Sequence, residues 1–399
     1  MTPIPRWVAG IGLAVWFAGV AFLTLTPGEY TPPLTLSSFL CVACGWRHVA
    51  DILLNWMLFL PGGFLAARFL SGGRAIAAAI LTTVLIETLQ IAIPGRDPAS
   101  QDLIFNSLGA LSGVRLAHLG LSQRERSILG WLVVAVWLAP AALLTPLTST
   151  AALYGQWTPR FPGLGTYDGQ VLSSRVGEVP VTSSRSDFST EIDEAILRRE
   201  PIEIVFVVAR PPAELAPIFQ VYDSLRKEIV MIGAIHEDLV VRGKNPSRVL
   251  RLDQPDVRWT GGLAHVEPGD TVRLTLERSH GSVCATINER TQCGLGPRAS
   301  DGWGFLLNLE GVPGSMHALI SVLWAAGLGL ILGTTWSGRA RAELSFFALA
   351  ALGLIVAALS PDVSPDVPGS LVLLVCAVAA SRAKVAFATS NRAPQPTDR

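Results

Sequence analysis

Charged residues are scarce in this chain of 399 residues. Asp, Glu, Lys and Arg make up 16% of it, the 31 acidic and 31 basic side chains cancel, and half of the residues are hydrophobic. Without a basic excess there is no global electrostatic argument for a nucleic-acid partner. A mean hydropathy of +0.44 is unusual for a soluble protein of this length and indicates several membrane spans.

Familiar catalytic motifs are missing as well. The chain contains no phosphate-binding P-loop, no HExxH metal motif and no Ser, His and Asp in the order typical of hydrolases. It also lacks a calcium loop of the EF-hand type. These absences favour a protein that is not an enzyme, and we expect no cofactor and no bound metal.

Eight apolar runs are present that are long enough to cross a hydrocarbon core of roughly 30 Å. They are Trp7–Thr26, Ala50–Leu70, Ala75–Ile93, Asp102–Leu119, Ile128–Leu147, Met316–Trp336, Leu344–Ser360 and Pro368–Phe387. Short loops that contain Arg alternate with loops that contain few basic residues. The positive-inside rule therefore predicts that both termini are cytoplasmic.

The charged residues are concentrated between about Tyr154 and Gly314, and this segment has the pattern of an all-β domain. Short runs rich in β-branched residues are separated by Gly, Pro, Asn and Asp. The predicted strands include Ile202–Ala209, Ile218–Ser224, Glu228–Ile235, Asp238–Gly243, Asp270–Glu277, Ser282–Ile287 and Gly302–Leu309. Many short strands of this kind are typical of a sandwich or jelly roll.

The predicted fold class is thus a polytopic α-helical membrane protein of about eight spans with an inserted all-β jelly-roll or sandwich domain. Residues 1–149 would hold five spans and residues 150–315 an extracytoplasmic β domain. Residues 316–399 would hold three further spans and a short cytoplasmic tail.

Cysteine is rare, and its positions agree with this topology. Cys284 and Cys293 flank ATINERTQ, and a hairpin that turns at Asn288–Glu289 would place them directly opposite each other. We favour a disulfide over two buried thiols, since the extracytoplasmic compartment is oxidising. Cys41 and Cys44 have the spacing of a redox motif, but a local disulfide or a simple pair of thiols is the better interpretation without a thioredoxin-like context.

Two stretches of the chain resemble each other. ADILLNWMLFLPGG starts at Ala50 and QDLIFNSLGALSG starts at Gln101, and each places an Asp one helical turn before an Asn. The preceding runs end alike, in TLTPG and IAIPG. The pattern predicts two parallel copies of a helical hairpin, as in some transporters.

The third run adds Glu87 and Gln90, and Arg96 follows in a short loop. A carboxylate in a membrane span costs up to about 2.5–3.5 kcal/mol and needs a partner. We therefore predict one polar cluster at the outer mouth of a four-helix core. Its members are Asp51, Asn55, Glu87, Gln90, Arg96, Asp102 and Asn106. Two simpler interpretations remain, in which the aspartates are helix N-caps and the amides hold helices together, at about 0.6–2 kcal/mol each.

These residues resemble the VanZ-like family of small bacterial membrane proteins. The resemblance covers roughly Leu23 to Gly113, through TLTPG, DILLNWMLFLPGG and IETLQIAIPGRDPASQDLIFNSLGALSG. The family motif falls on Asp51, Asn55, Pro61, Gly63, Glu87, Gln90, Arg96, Asp102, Asn106 and Gly109. The resemblance implies the plasma membrane of a bacterium and the handling of lipid-linked cell-wall material. The family is named after a gene linked to low-level resistance to the glycopeptide teicoplanin.

The β segment is similar, more loosely, to concanavalin A-like or laminin-G-like domains. GTYDGQ, IEIVFVV and the hairpin VRLTLERSHGSVCATINER carry this resemblance. It implies glycan binding, sometimes through calcium. Aromatic residues that could stack on sugars are Trp157, Tyr167, Tyr222, Trp259 and Trp303. The alternative is that most of them are core residues.

Three functions compete at this stage. In the first, a non-enzymatic envelope protein recognises a lipid-linked or surface glycan through its β domain, and its helical core binds a lipid-linked partner or another membrane protein. In the second, an enzyme acts on a phosphorylated lipid, with Arg96 and Arg47 or His48 holding phosphate and Glu87 or Asp102 as general base. In the third, the repeat belongs to a small transporter. The missing catalytic motifs favour the first.

Overall fold

The structure is a computed structural model that describes most of the chain. The chain forms two compact units. The first unit consists of residues 1–125 with 250–252, and the second of residues 126–249 with 253–399. The described residues are 5–27, 39–43, 47–96, 98–119, 121–144, 147, 153–156, 164–181, 189–225, 227–253, 255–279, 282–307, 309, 314–336, 342–359 and 363–390.

The first unit is helical. Its helices are α1 (Arg6–Leu25), α2 (His48–Ala66), α3 (Gly72–Gln90) and α4 (Ser100–Leu119), and α5 (Gln123–Leu143) begins at its boundary. A small core forms where α1 to α4 meet, around the buried side chains of Val20, Phe59, Ile86 and Ala110. The indole nitrogen of Trp16 on α1 donates to the carbonyl oxygen of Leu58 on α2 at 2.6 Å.

Helices α2 and α4 approach closely because glycines face backbone in both directions. A Cβ atom added at Gly109 would collide with the carbonyl oxygen of Trp56, and one at Gly113 with that of Leu60. In return, a Cβ at Gly63 would collide with the carbonyl oxygen of Ala110. Small residues at such crossings let membrane helices pack through van der Waals contact.

The second unit contains the β domain, which consists of two antiparallel sheets. The first sheet has the order β1-β5-β6-β7-β8 and the second the order β11-β10-β9-β4-β2-β3. The strands of the first are β1 (Leu153–Gln156), β5 (Ala216–Asp223), β6 (Glu228–Ile235), β7 (Asp238–Gly243) and β8 (Val257–Trp259). Those of the second are β2 (Gln170–Val176), β3 (Val179–Pro180), β4 (Ile202–Val207), β9 (Thr271–Ser279), β10 (Ser282–Ile287) and β11 (Arg290–Gln292).

Both sheets contribute to one hydrophobic core, as in a sandwich. Strand β4 alternates between buried and half-buried positions, so Ile204 and Phe206 point into the core with Leu274 of β9. Ile218 and Val221 of β5 enter it from the other sheet. Two short helices, α6 (Ser189–Leu197) and α7 (Pro246–Val249), complete the domain.

One predicted strand is wrong. Gly302–Leu309 was expected to be extended, but Ala299–Phe305 forms a 3₁₀ helix. The Asp301 carboxylate accepts the N–H of Arg298 at 2.8 Å and so closes the first turn. The strand was predicted from a short apolar run that contains Trp303 and Phe305. Gly302 and Gly304 within it have little preference for strands, and the run gives no sign of a helical turn.

The disulfide of the β domain lies at the end of a tight hairpin. Strands β10 and β11 pair Ile287 with Arg290, and the turn is at Asn288, whose φ is 53°. Cys284 and Cys293 stand opposite each other and are joined by a disulfide, with Cα atoms 4.0 Å apart. Cys41 is also disulfide-bonded, while Cys44 lies outside the described residues.

Helices α8 (Gly314–Trp336), α9 (Ala342–Leu359) and α10 (Val367–Ser390) follow the β domain and pack with α5. Among the residues that the structure describes, six helical segments are long and apolar enough to span a membrane: α1, α2, α3, α5, α8 and Val367–Lys384 within α10. The chain is therefore a multi-pass membrane protein with a β domain. Helix α4 carries Asp102 and Arg115 and α9 is shorter, so the count of eight spans stays a prediction, as do the domain boundaries.

Candidate functional site

The two Asp-x₃-Asn stretches occupy α2 and α4, the pair of helices that the glycines bring together. Nδ2 of Asn55 donates to Oδ1 of Asp102 at 2.5 Å, so the Asn of one copy binds the Asp of the other. The reciprocal bond is absent among the described contacts. Asp51 instead accepts from Nε of Arg47 at 3.1 Å, and the Oδ1 atom of the buried Asn106 has no hydrogen-bond partner.

Glu87 belongs to the same group as Asp102. Its side chain is 8% exposed, and Oε2 accepts the backbone N–H of Ala99 at 3.0 Å, directly before α4 begins. This is one of the amides that a helix N-terminus leaves without an internal partner. Asp102 is close enough to interact with Glu87 electrostatically. Glu87, Asp102 and Asn55 thus form one connected group within the predicted polar cluster.

Gln90 and Arg96 form a second group within the predicted cluster. Their side chains bind backbone carbonyl oxygens rather than other side chains. Nε2 of Gln90 donates to the carbonyl oxygen of Thr24 at 2.9 Å. Arg96 donates to the carbonyl oxygens of Leu23 and Thr26, each at 2.8 Å. These carbonyls lie at the C-terminal end of α1, where the helix cannot satisfy them. The expected ion pair between Arg96 and a carboxylate is not found among the described residues.

Sequence reasoning missed other contributors to this region. Gln101 and Thr83 are almost completely buried, and Nε1 of Trp56 donates to the hydroxyl of Ser112 at 3.2 Å. The only signal in the sequence for these residues is their position on the inner faces of α2, α3 and α4, and this signal is weak. No group of three or more His, Cys, Asp or Glu suitable for a metal occurs in the part of the chain that the structure describes.

A second polar site lies in the second unit, where the 3₁₀ helix meets α8. Oδ1 of Asp301 lies 2.6 Å from the hydroxyl of Ser321, and that hydroxyl accepts the indole N–H of Trp303 at 2.9 Å. Burial raises the pKa of the Asp301 carboxyl. The ring of His317 packs edge-on against Trp303, and its Nε2 lies 3.0 Å from the carbonyl oxygen of Leu309. Because a carbonyl only accepts, Nε2 must hold the proton.

Asp366 joins the start of α10 to the 3₁₀ helix of this second polar site. Its Oδ2 accepts the N–H of Ser300, and its Oδ1 accepts the N–H of Gly369, both at 2.8 Å. The second of these bonds is an N-cap, since Gly369 lies in the first turn of α10. The carboxylate of Asp366 therefore fixes a membrane helix to the β domain.

These groups line a cavity of about 480 Å³, which we call the junction cavity. Its polar wall includes Asp256, Arg258, Thr260, Arg298, Asp301 and Asp366. Ala318 and Val322 of α8 and Pro368 of α10 supply an apolar wall. Small-molecule sites usually measure about 300–1,000 Å³, so the cavity has the size of a ligand site.

The five aromatic candidates have different environments. Tyr167 is 2% exposed and its hydroxyl accepts the N–H of Ala209 at 3.0 Å, so it is a core residue and no glycan can reach its ring. Trp259 is buried beneath the guanidinium of Arg290. Tyr222 is half-buried on β5. Trp303 is also buried, at 6% exposed, but alone of the described four it lines the junction cavity. Trp157 lies outside the described residues.

Comparison with known proteins identifies one similarity. The model of the VanZ/LLP1 family matches residues 14–121, which include most of α1 and all of α2 to α4. This part of the chain is a VanZ-like domain, and the resemblance found between Leu23 and Gly113 is confirmed. No curated protein and no solved structure matches the chain.

Proposed function

We propose that this protein is a non-catalytic envelope protein of a bacterial plasma membrane that binds a lipid-linked glycan through its β domain. Both termini would be cytoplasmic and the β domain extracytoplasmic. The observation that supports this proposal best is the junction cavity, where polar groups of the β domain lie beside the first turns of two membrane helices. A ligand held there can keep its polar part in the domain and its chains in the membrane.

The contacts within the VanZ-like domain favour a binding protein over an enzyme. Arg96 is bound to the carbonyls of α1, and Arg47 to Asp51, so neither is poised to hold the phosphate of a lipid. Oε2 of Glu87 accepts the backbone N–H of Ala99, so this carboxylate also ties α3 to the start of α4. We infer that these polar side chains mainly assemble the helices.

The proposal is tested on the intact protein, purified in a mild detergent from bacterial membranes. Native mass spectrometry would identify lipids that remain bound, and titration with glycosyl diacylglycerol would measure their affinity. A saturable glycolipid complex is expected. If wild-type protein retains no lipid of this class and binds none on titration, glycan binding is excluded.

A role in glycopeptide resistance rests on the VanZ-like similarity alone and is tested separately. A strain that lacks the protein should become more sensitive to teicoplanin, and the wild-type copy should restore growth. Unchanged sensitivity would show that the VanZ-like domain serves another purpose here.

A further inference from the structure

The walls of the junction cavity differ in polarity in a way that matches a lipid headgroup. The β domain contributes the hydroxyl of Thr260 and charged side chains, whereas α8 contributes the apolar Ala318 and Val322 beside the polar His317 and Ser321. Ala318 lies only four residues after Gly314, where α8 begins. At 1.5 Å per residue this places the cavity within about 6–12 Å of the helix start, at the boundary between polar and apolar surroundings.

Two carboxylates in this cavity are held rigidly, and the more exposed of them, Asp301, keeps room for further hydrogen bonds. Asp301 accepts from Ser321 and from the N–H of Arg298, and Asp366 accepts from the N–H groups of Ser300 and Gly369. A carboxylate offers about four acceptor positions, so the partly exposed Asp301 can accept about two more hydrogen bonds. Asp366 is only 2% exposed and serves to fix the start of α10. Both are fixed by backbone, which lowers the entropy cost of binding.

The charges around the cavity favour a neutral ligand. Three aspartates, Asp256, Asp301 and Asp366, and two arginines, Arg258 and Arg298, line it. Asp256 is already engaged by Arg242 at 2.6 and 2.8 Å, and Arg258 lies 3.8 Å from Asp238. A phosphate beside Asp301 and Asp366 would be repelled. Arg298, whose charge acts on Asp301, offsets one of these two carboxylates and so opposes a strongly cationic group. Hydroxyl groups satisfy such acceptors without adding charge.

We propose that the junction cavity holds the saccharide headgroup of a neutral glycolipid, with Asp301 accepting hydrogen bonds from its hydroxyl groups. Trp303 supplies an aromatic wall, and the acyl chains leave along Ala318 and Val322. This inference rests on the proposed function and names the site and the ligand class for it.

The test uses full-length protein in nanodiscs of phosphatidylcholine, with diglucosyl diacylglycerol as the probe and phosphatidylglycerol as the anionic comparison. Asp301→Asn should weaken glycolipid binding by roughly tenfold or more, because the amide nitrogen cannot accept a hydroxyl. Ala318→Phe fills the apolar wall without removing a hydrogen bond and should abolish binding even if Asp301→Asn fails to fold. Free disaccharide should bind far more weakly than the glycolipid, since it has no chains.

Asp270→Asn is the matched control. Asp270 accepts the N–H of Glu267 at 2.9 Å, the same local arrangement as Asp301 with Arg298, but it lies outside the cavity. Its variant should bind like wild type.

If wild type binds the glycolipid and both cavity variants bind it equally well, the site is elsewhere although the proposed function stands. Preference for phosphatidylglycerol that Ala318→Phe removes, or equal binding of free disaccharide, would overturn the neutral glycolipid. Absence of any binding to wild type refutes the proposed function itself.

Discussion

Asn55 donates its side-chain amide to the carboxylate of Asp102 at 2.5 Å, and so joins the first Asp-x₃-Asn stretch to the second. The bond crosses the contact between α2 and α4, where Gly109 and Gly113 meet the backbone of α2. The repeat therefore builds one helix pair rather than two independent sites.

Removing the amide should destabilise this pair. Asn55→Ala is expected to lower the free energy of unfolding by about 1–2 kcal/mol, in the upper range for hydrogen bonds between membrane helices. Asn55→Asp should cost more, because a third carboxylate would face Asp102 and Glu87. Thermal unfolding in detergent measures both. Ser107→Ala is the control, since Ser107 only donates to the carbonyl of Leu103 one turn earlier. Equal stability of Asn55→Asp and wild type would contradict the pairing.

The packing of α4 against α2 depends on the absence of side chains. Gly113→Ala should lower the free energy of unfolding by about 1–3 kcal/mol and reduce the amount of protein in the membrane, because the new Cβ collides with the carbonyl of Leu60. Gly19→Ala on α1 is the control, since nothing lies within 4 Å of its Cβ position. Alanine favours helix, so Gly19→Ala should be neutral or slightly stabilising. Similar effects of the two substitutions would argue against a close crossing.

Arg96 distinguishes an assembly role from a ligand site. Arg96→Ala removes the donors to Leu23 and Thr26 and should lower the unfolding temperature and the accumulation of the protein. Arg124→Ala, at an exposed position near the start of α5, should do neither. Immunoblots of membranes and thermal unfolding provide the measurements. An Arg96→Ala protein that is as abundant and stable as wild type, but inactive in the envelope, would instead assign Arg96 to a site.

The disulfide between Cys284 and Cys293 should stabilise the β domain under oxidising conditions. Replacing Cys284 and Cys293 with serine is expected to cost about 2–3 kcal/mol, as for other short closed loops. Reductant should lower the unfolding temperature of wild type by more than that of the double variant, which keeps only the disulfide of Cys41. Cys376→Ser is the control, because Cys376 is a free thiol. Reduced Cys284 and Cys293 in protein taken directly from cells would contradict an extracytoplasmic β domain.

Glu228 should make stability depend on pH. It is buried on β6 beside Gln220, and burial raises the pKa of its carboxyl. The folded state therefore binds this proton more tightly than the unfolded state, and the contribution to stability falls as pH rises above about 4.3. Glu228→Gln should raise the unfolding temperature at pH 7 and flatten its pH dependence.

Glu203 provides the opposite case. A hydrogen bond from Arg175 at 2.6 Å lowers the pKa of the Glu203 carboxyl, so its stabilisation is present above the unfolded pKa and lost as pH falls. Glu203→Gln should slightly lower the unfolding temperature at pH 7, by an amount typical of exposed pairs, about 0–1 kcal/mol. If both glutamine variants shift stability in the same direction, burial of Glu228 is not the cause.

Several features could be predicted because their causes are local. A turn at Asn288 followed from a tight hairpin pattern, and it places Cys284 opposite Cys293. The strands Glu228–Ile235, Asp238–Gly243 and Ser282–Ile287 have the predicted bounds. The 3₁₀ helix at Asp301 was missed because its stability comes from capping and from contact with α8 rather than from periodicity.

The repeat shows where local reasoning stops. Two equivalent Asp-x₃-Asn stretches suggested equivalent roles, but Asp51 has Arg47 one turn before it and Asp102 has no such neighbour. Asp102 therefore accepts from Asn55, and Asn106 is left buried with one unpaired oxygen. The sequence contains both copies, but only packing decides which of them pair.

Sequence patterns alone were enough to predict a multi-pass membrane protein with a VanZ-like segment and an inserted β domain. Hydropathy, strand periodicity and a spaced motif depend on residue type and neighbours along the chain, and they need no fold to be recognised. Only the tertiary structure decided that Gln90 and Arg96 bind the end of α1. It also brought Asp301, Ser321 and Asp366, which lie far apart in sequence, to one cavity. Those contacts arise from long-range packing, which no local pattern encodes.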